Sequence, residues 1–252
     1  MTFAFATPLY CAVQLSVSVT ATKPSAENIQ VPRAILNAIP LVFLVGFIAP
    51  TGLLLVPTSS HVSTDLKQIF IAIWQFWPAY ISILLTSIHH FCYPYPENIP
   101  STLHSLRWVY AIAFANTGIT HIISWTISLA SVAASWLFSR EYLEALHPGV
   151  VFGVPKPWEA KSLENLSDGA HSFLRWDYLI GSAGVLVWAI SLHQTAHRLV
   201  YGRVDYPELF FKASILTALV GPVGAAVELM WERDELISNE DNSARFSQEK
   251  KL

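Results

Sequence analysis

The chain has 252 residues, of which 53% are hydrophobic and only 13% are charged. Soluble domains carry about 25% charged residues, so this composition excludes an ordinary soluble protein and favours one embedded in a lipid bilayer. The formal net charge of −3 and the two cysteines exclude a nucleic-acid binder, a disulfide scaffold and a cysteine-rich zinc site.

Long stretches without charged residues predict membrane-spanning helices, because about 20 apolar residues are needed to cross the hydrocarbon core. Six apolar blocks approach or exceed that length: 3–20, 35–56, 68–91, 106–138, 173–196 and 208–230. The fourth block is too long for one straight crossing: it is expected to be either a tilted helix with an interfacial extension or two spans divided by a break between Gly118 and Ser131. That division places most of the connecting Lys and Arg on one side, which favours seven spans and a cytoplasmic C-terminus.

The sequence therefore predicts an all-α, polytopic integral membrane bundle of about seven transmembrane helices, with a range of six to seven. Residues 1–236 are expected to form a single transmembrane domain, and the polar residues 237–252 a disordered tail. The first block is expected to be a retained span rather than a signal peptide, because it lacks a basic start. The connection 140–170 is polar and contains a glycosylation sequon at Asn165.

Polar or small residues recur every three or four positions within the blocks, as at Ser214, Thr217, Gly221, Gly224 and Glu228. Such a stripe most often packs one membrane helix against another. An ionisable group at membrane depth is costly unless it is paired or protonated, which makes it a functional candidate by default.

Three ionisable residues stand out on this ground: Asp177, Glu228 and His121. The alternative for the two carboxylates is helix capping or snorkelling near a span end, and for His121 a neutral ring bonded to Ser124 or to a carbonyl. His193 and His197 are four residues apart, but we interpret them as interfacial rather than as metal ligands because no third ligand lies nearby in the sequence.

Aromatic residues within the blocks are candidates for a substrate-binding wall. Those singled out are Trp74, Trp77, Tyr80, Trp125, Trp176 and Trp188. Near span ends Trp and Tyr commonly form interfacial belts, but Trp125 and Trp188 lie in mid-block. Ring faces stabilise positive charge without acting as bases, so an aromatic cavity with one protonated carboxyl suits carbocation chemistry. No aspartate-rich diphosphate motif is present, so the sequence predicts no metal site and no cofactor.

Five segments carry a resemblance to a known family: ILNAIPLVFLVGFIAPTGLLL, DLKQIFIAIWQFWP, VYAIAFANTGITHIISWTISLA, SFLRWDYLIGSAGVLVWAISL and GPVGAAVELMWERDEL. Over about Pro8 to Leu236 the chain resembles the fungal integral-membrane terpene cyclases of meroterpenoid pathways, especially the ascochlorin/ascofuranone and macrophorin type. The resemblance implies an enzyme, expected in the endoplasmic reticulum membrane, whose partners are membrane lipid and a prenylated aromatic or polyketide-derived small molecule.

The resemblance also implies a mechanism. Such enzymes protonate an epoxide or terminal olefin of a farnesylated substrate and guide the resulting carbocations to cyclise. A carboxyl group removed from water keeps its proton and can deliver it. We therefore hypothesise that Asp177 is the proton donor, that Glu228 orients it or returns the proton, and that His121 is a polar anchor or the terminal base.

Other functions are compatible with the same residues. A sterol-isomerase-like enzyme would also protonate an apolar double bond, but it would need no polyprenyl chain. A transporter of an apolar metabolite would be expected to show internal repeats, and none is evident. A structural membrane protein would not need Asp177 or Glu228 to face a cavity.

Overall fold

The computed structural model describes residues 2–58, 62–92, 103–154 and 166–249. Their regular secondary structure is entirely helical, which confirms the predicted all-α class. The chain divides into a larger unit, Met1–Ile29 with Ala113–Leu252, and a smaller unit, Gln30–Ile112. Each unit is described by itself.

The α-helices, in chain order, are α1 (Phe3–Val17), α2 (Val19–Thr22), α3 (Arg33–Phe43), α4 (Ala49–Leu55), α5 (Thr64–Gln75), α6 (Trp77–Ser87), α7 (Leu103–Ala133), α8 (Arg140–Leu146), α9 (Pro148–Val151), α10 (Leu166–Tyr201) and α11 (Tyr206–Glu249). Two π-helical segments, Leu44–Ile48 and Ile88–Cys92, and one 3₁₀ segment, Ser135–Leu137, complete the set. The first of these π-helical segments joins α3 to α4, so 33–55 is one continuous apolar helix.

The smaller unit contains a bent helix pair. The Ser63 hydroxyl accepts a hydrogen bond from the Leu66 amide and so caps the start of α5. The axes of α5 and the helix after it differ by 51°, and the bend falls at Phe76, just before Pro78. Because proline cannot donate the i→i−4 hydrogen bond, it is a common cause of such a bend.

In the larger unit, α1 packs along α10 at two glycines. A Cβ atom on Gly181 would lie 2.1 Å from the Phe3 ring, and one on Gly184 would lie 2.8 Å from Pro8. Small residues let two membrane helices approach closely. Gly181 and Gly184 therefore allow α10 to pack closely against α1.

The last helix, α11, folds back on itself at Gly221. This glycine has φ 80° and ψ 165°, a backbone conformation outside the helical region, and Pro222 follows it. Lys212 and Glu232 would lie about 30 Å apart on a straight helix, yet their side chains are in contact. We call residues 206–220 the first arm of α11 and residues 222–249 its second arm. Leu209 and Ala213 on the first arm and Leu229 on the second arm belong to one buried cluster.

The surface of these helices is unusually apolar. Phe210 is 76% exposed, Ile83 62% and Val187 61%. Contact of such side chains with water costs free energy, whereas contact with hydrocarbon does not. Their exposure is therefore compatible with a membrane protein.

The predicted count of about seven spans is not confirmed. In the described ranges, three helices are long and apolar enough to cross a membrane, or four if the bent α5–α6 pair is one span. The three are Arg33–Leu55, Asp168–Tyr201 and Tyr206–Glu240, the last counted by length and composition across the fold-back at Gly221. The helix α7 is unbroken from Leu103 to Ala133, so the break between Gly118 and Ser131 that seven spans would need is absent, and the alternative of one long helix is found.

Two further sequence predictions concern the C-terminal tail and the glycosylation sequon. The second arm of α11 stays helical through Glu249 and so enters the polar segment for which the sequence predicts a tail. The sequon residue Asn165 lies outside the described residues.

Candidate active site

The His121 side chain on α7 forms a hydrogen bond to the backbone of α11 beside the break at Gly221. Pro222 has no N–H, so the carbonyl of Ala218 loses the hydrogen bond that it would accept in a regular helix. The His121 ring supplies the missing donor, with Nε2 3.2 Å from the Ala218 oxygen. A carbonyl can only accept, so Nε2 carries a hydrogen, and in the neutral ring Nδ1 then keeps its lone pair.

Gly221 packs directly against the His121 ring. A Cβ atom at this position would lie 3.0 Å from His121 Nδ1. The positive φ and the closeness of the ring both require glycine here. His121 therefore satisfies a backbone group, as the alternative interpretation expected, and its second nitrogen is directed at a residue without a side chain.

Trp125 provides an aromatic surface one turn from His121. Its indole ring stacks on Phe152, with ring centroids 4.0 Å apart and planes 14° apart. The His121 ring meets the same indole edge-on at 6.3 Å. Trp125 is still 37% exposed, so part of its ring is free to contact a bound molecule.

Glu228 lies on the second arm, one turn beyond Gly224. A Cβ atom on Gly224 would lie 3.2 Å from the Thr117 hydroxyl, so this stretch of the arm approaches α7. The Glu228 side chain is half-buried and makes no hydrogen bond to a described residue. Its charged neighbours are Glu232, Lys212 and Glu235.

Asp177 on α10 occupies a different environment. Its Oδ1 accepts a hydrogen bond from the Ala4 amide at 2.8 Å, and its Oδ2 accepts one from the Phe3 amide at 3.3 Å. Both oxygens thus hold the start of α1, where unpaired N–H groups and the helix dipole attract a carboxylate. This is the capping arrangement that the sequence left open as the alternative for Asp177.

The remaining predicted aromatic residues lie in several places. Trp188 on α10 donates its indole N–H to Gln14 Oε1 at 2.7 Å, and Trp176 is half-buried next to Asp177. In the smaller unit, Trp74 donates to the Thr51 hydroxyl at 3.0 Å. Trp77 meets Phe47 edge-on at 5.0 Å, and Tyr80 packs near Gly46. Within the larger unit, Asp177 and Glu228 contact different partners and are not brought together.

A second polar cluster joins α10 to both arms of α11. His193 Nε2 lies 3.3 Å from Glu232 Oε2, and the other Glu232 oxygen contacts the Lys212 ammonium. The His193 ring stacks on His197, with centroids 4.3 Å apart. A cavity of about 280 Å³ opens beside these residues. The described part of the chain has no group of three His, Cys, Asp or Glu placed to hold a metal ion.

A buried ion pair lies just beyond this cluster. Arg233 and Asp234 are 3% and 5% exposed, with Arg233 Nη1 2.8 Å from Asp234 Oδ1. Arg233 also donates to the Thr20 carbonyl within α2. The segment formed by α1 and α2 is thus held by Asp177 at its start and by Arg233 at its end.

A family model described as the CtvD domain matches residues 1–238. The chain belongs to the CtvD domain family. It is similar to terpene cyclase penA of Penicillium crustosum, with 31% identity over 195 residues, which cover 77% of this chain and 52% of that protein. It is also similar to terpene cyclase ctvD of Aspergillus terreus, with 28% identity over 230 residues, 90% of this chain and 62% of that protein. It is also similar to terpene cyclase ascI of Acremonium egyptiacum, with 28% identity over 251 residues, which cover 96% of this chain and 62% of that protein.

These matches confirm the resemblance to fungal terpene cyclases of meroterpenoid pathways. The chain spans 52% to 62% of the length of these three CtvD-type relatives. No solved structure matches the chain.

Sequence reasoning missed the cluster of His193, Lys212 and Glu232 in this CtvD domain. Lys212 and Glu232 are 20 residues apart in the sequence, and only the fold-back at Gly221 brings them into contact. A signal was present: the Gly221-Pro222 pair lies near the midpoint between the two charges.

Proposed function

We propose that this CtvD domain protein is a membrane-bound terpene cyclase that acts on a farnesylated aromatic or polyketide-derived substrate. The observation that carries the proposal is family membership together with relatives that are named terpene cyclases. The apolar helix surfaces suit a substrate that reaches the enzyme through lipid, and we propose the endoplasmic reticulum membrane as its location.

The proposed reaction starts with a carboxylic acid. The acid gives its proton to an epoxide oxygen or a terminal olefin, and the C–O or C=C bond yields a carbocation. Neighbouring double bonds close rings onto that cation, and loss of a proton to a base ends the sequence. The part of the Trp125 ring that remains exposed, outside its stack with Phe152, is suited to stabilising the cations.

Of the two predicted carboxyls, the contacts favour Glu228 as the donor. Glu228 makes no hydrogen bond to a described residue, so it has an oxygen free to carry hydrogen toward a substrate. Both oxygens of Asp177 accept backbone hydrogen bonds from α1. We therefore assign Asp177 the role of positioning α1, which packs beside Trp188.

His121 is the proposed terminal base. Its Nδ1 lone pair is free because Nε2 carries the hydrogen that binds Ala218. No side chain at residue 221 covers this nitrogen, because that residue is glycine. A neutral imidazole is a suitable acceptor for the proton that the last carbocation releases.

The test uses microsomes from yeast that expresses the chain, incubated with a farnesylated phenol epoxide. We expect an isomer of unchanged mass, because proton gain and proton loss cancel. Glu228→Gln keeps the side-chain shape without the acid and is expected to lower the rate about 100-fold or more. Glu240→Gln, an exposed change on the same arm, is the matched control and is expected to leave the rate unchanged. Normal turnover by Glu228→Gln would refute the assignment of Glu228.

A further inference from the structure

The cavity beside His193 connects an exposed rim to buried ionisable groups. Asp205 and Glu208 on its lining are exposed, whereas His193 is 5% exposed. The cavity has a volume of about 280 Å³, which is room for several water molecules. Three segments meet there: α10, the first arm of α11 and the second arm.

His193 is an unusual buried side chain. Neither of its ring nitrogens makes a hydrogen bond to a described residue, although Nε2 lies 3.3 Å from Glu232 Oε2. A buried polar group without a hydrogen bond costs free energy, so its presence calls for an explanation. The His193 ring lines the cavity, and its Nε2 faces Glu232.

Glu232 connects this histidine to the proposed acid. It follows Glu228 by four residues on the second arm, and side chains at this spacing share one helix face. Lys212 holds the other Glu232 oxygen. The charged or titratable groups around Glu232 and His193 are His197 on α10, Glu208 and Lys212 on the first arm, Glu228 and Glu235 on the second arm, and Asp205 before the first arm.

We propose that His193 and Glu232 relay protons from the cavity to Glu228 between turnovers. This proposal rests on the proposed function, in which Glu228 gives its proton to the substrate. Solvent protonates His193 at Nδ1, the ring passes its Nε2 proton to Glu232, and Glu232 passes a proton to the Glu228 carboxylate. The substrate releases one proton for each proton it receives, so the relay consumes none overall.

The test compares the first turnover with continued turnover in purified full-length protein in lipid nanodiscs. His193→Ala removes the relay but leaves Glu228 protonated at the start. We expect its first turnover, measured with enzyme in excess, to be near the wild-type rate, and its steady-state rate to fall about tenfold or more. His104→Ala, a change of an exposed histidine on α7, is the matched control and is expected to leave both rates unchanged.

Chemical rescue separates proton transfer from a structural effect. Imidazole is expected to enter the space that His193→Ala opens and to restore the steady-state rate. The cation 1,3-dimethylimidazolium has a similar shape but carries no transferable proton, so it is expected to restore nothing. If His193→Ala does not fold, His193→Gln keeps the side-chain volume and is expected to show the same loss without rescue.

The outcomes are distinct. Equal slowing of the first and later turnovers, with no rescue by imidazole, would assign His193 a structural role and overturn the relay. A wild-type protein that makes no product in either regime would overturn the cyclase function, and the relay with it.

Discussion

Asp177 and Glu228 are both half-buried carboxyls, but they have different surroundings. Asp177 spans two backbone amides of α1 with its two oxygens, at 2.8 and 3.3 Å. Glu228 has charged neighbours but no hydrogen bond to a described residue. The hypothesis drawn from the sequence made Asp177 the proton donor. The backbone amides that engage Asp177 belong to residues about 175 positions earlier, which no local pattern reveals.

Substitution of Asp177 tests whether this carboxylate is a cap or the acid. We expect Asp177→Asn to lower the stability of the protein by about 1 kcal/mol, because an amide offers only one acceptor oxygen to the two N–H groups. Cyclase activity is expected to persist in the variant that remains folded. Thermal unfolding in detergent and product formation in microsomes measure the two effects.

The control for this substitution is Asp65→Asn in the first turn of α5. It removes a carboxylate that accepts no hydrogen bond from another described helix, so its effect on stability is expected to be small. An Asp177→Asn protein with normal stability and no activity would instead support Asp177 as the proton donor.

At the scale of the helices, the break at Gly221 determines the geometry of the candidate site. The proline after it removes a donor, the freed Ala218 carbonyl binds His121, and the reversed chain direction brings Lys212 to Glu232. The sequence analysis predicted one span over 208–230 because the block is apolar on both sides of the break. Apolar composition indicates that a segment contacts lipid, but it does not indicate whether the helix continues straight or reverses its direction.

Substitution of Gly221 tests this break. Gly221→Ala is expected to lower stability by about 1 to 3 kcal/mol, because φ 80° with ψ 165° is nearly restricted to glycine and the added Cβ meets His121 Nδ1. The matched control is Gly52→Ala in α4, where no atom lies within 4 Å of the added Cβ. That change is expected to be neutral or slightly stabilising. Thermal unfolding of both variants is the measurement, and equal melting temperatures would contradict the strained break.

At the scale of the whole chain, composition predicted the helical class and the apolar segments correctly. Each of the six apolar blocks coincides with helix, because lipid selects apolar residues locally along the chain. The number of spans was not predictable in the same way. It depends on whether a long block is continuous, as α7 is, or folds back, as α11 does. Whether a long helix stays straight or folds back depends on contacts between residues far apart in the sequence, such as His121 with Ala218.

The fold-back of α11 makes a prediction about membrane topology. A straight helix over Tyr206–Glu240 would be about 50 Å long and would place its two ends on opposite sides of the bilayer. The fold-back makes α11 a helical hairpin, which places Tyr206 and Glu240 on the same side of the bilayer. We expect single-cysteine reporters at the exposed positions Arg203 and Glu240, in a chain with Cys11 and Cys92 replaced by serine, to react alike with a membrane-impermeant maleimide in sealed microsomes. Permeabilised microsomes provide the control for total reactivity. Labelling of only one reporter in sealed microsomes would contradict the hairpin, and with it the contact between Lys212 and Glu232 on which the proton relay depends.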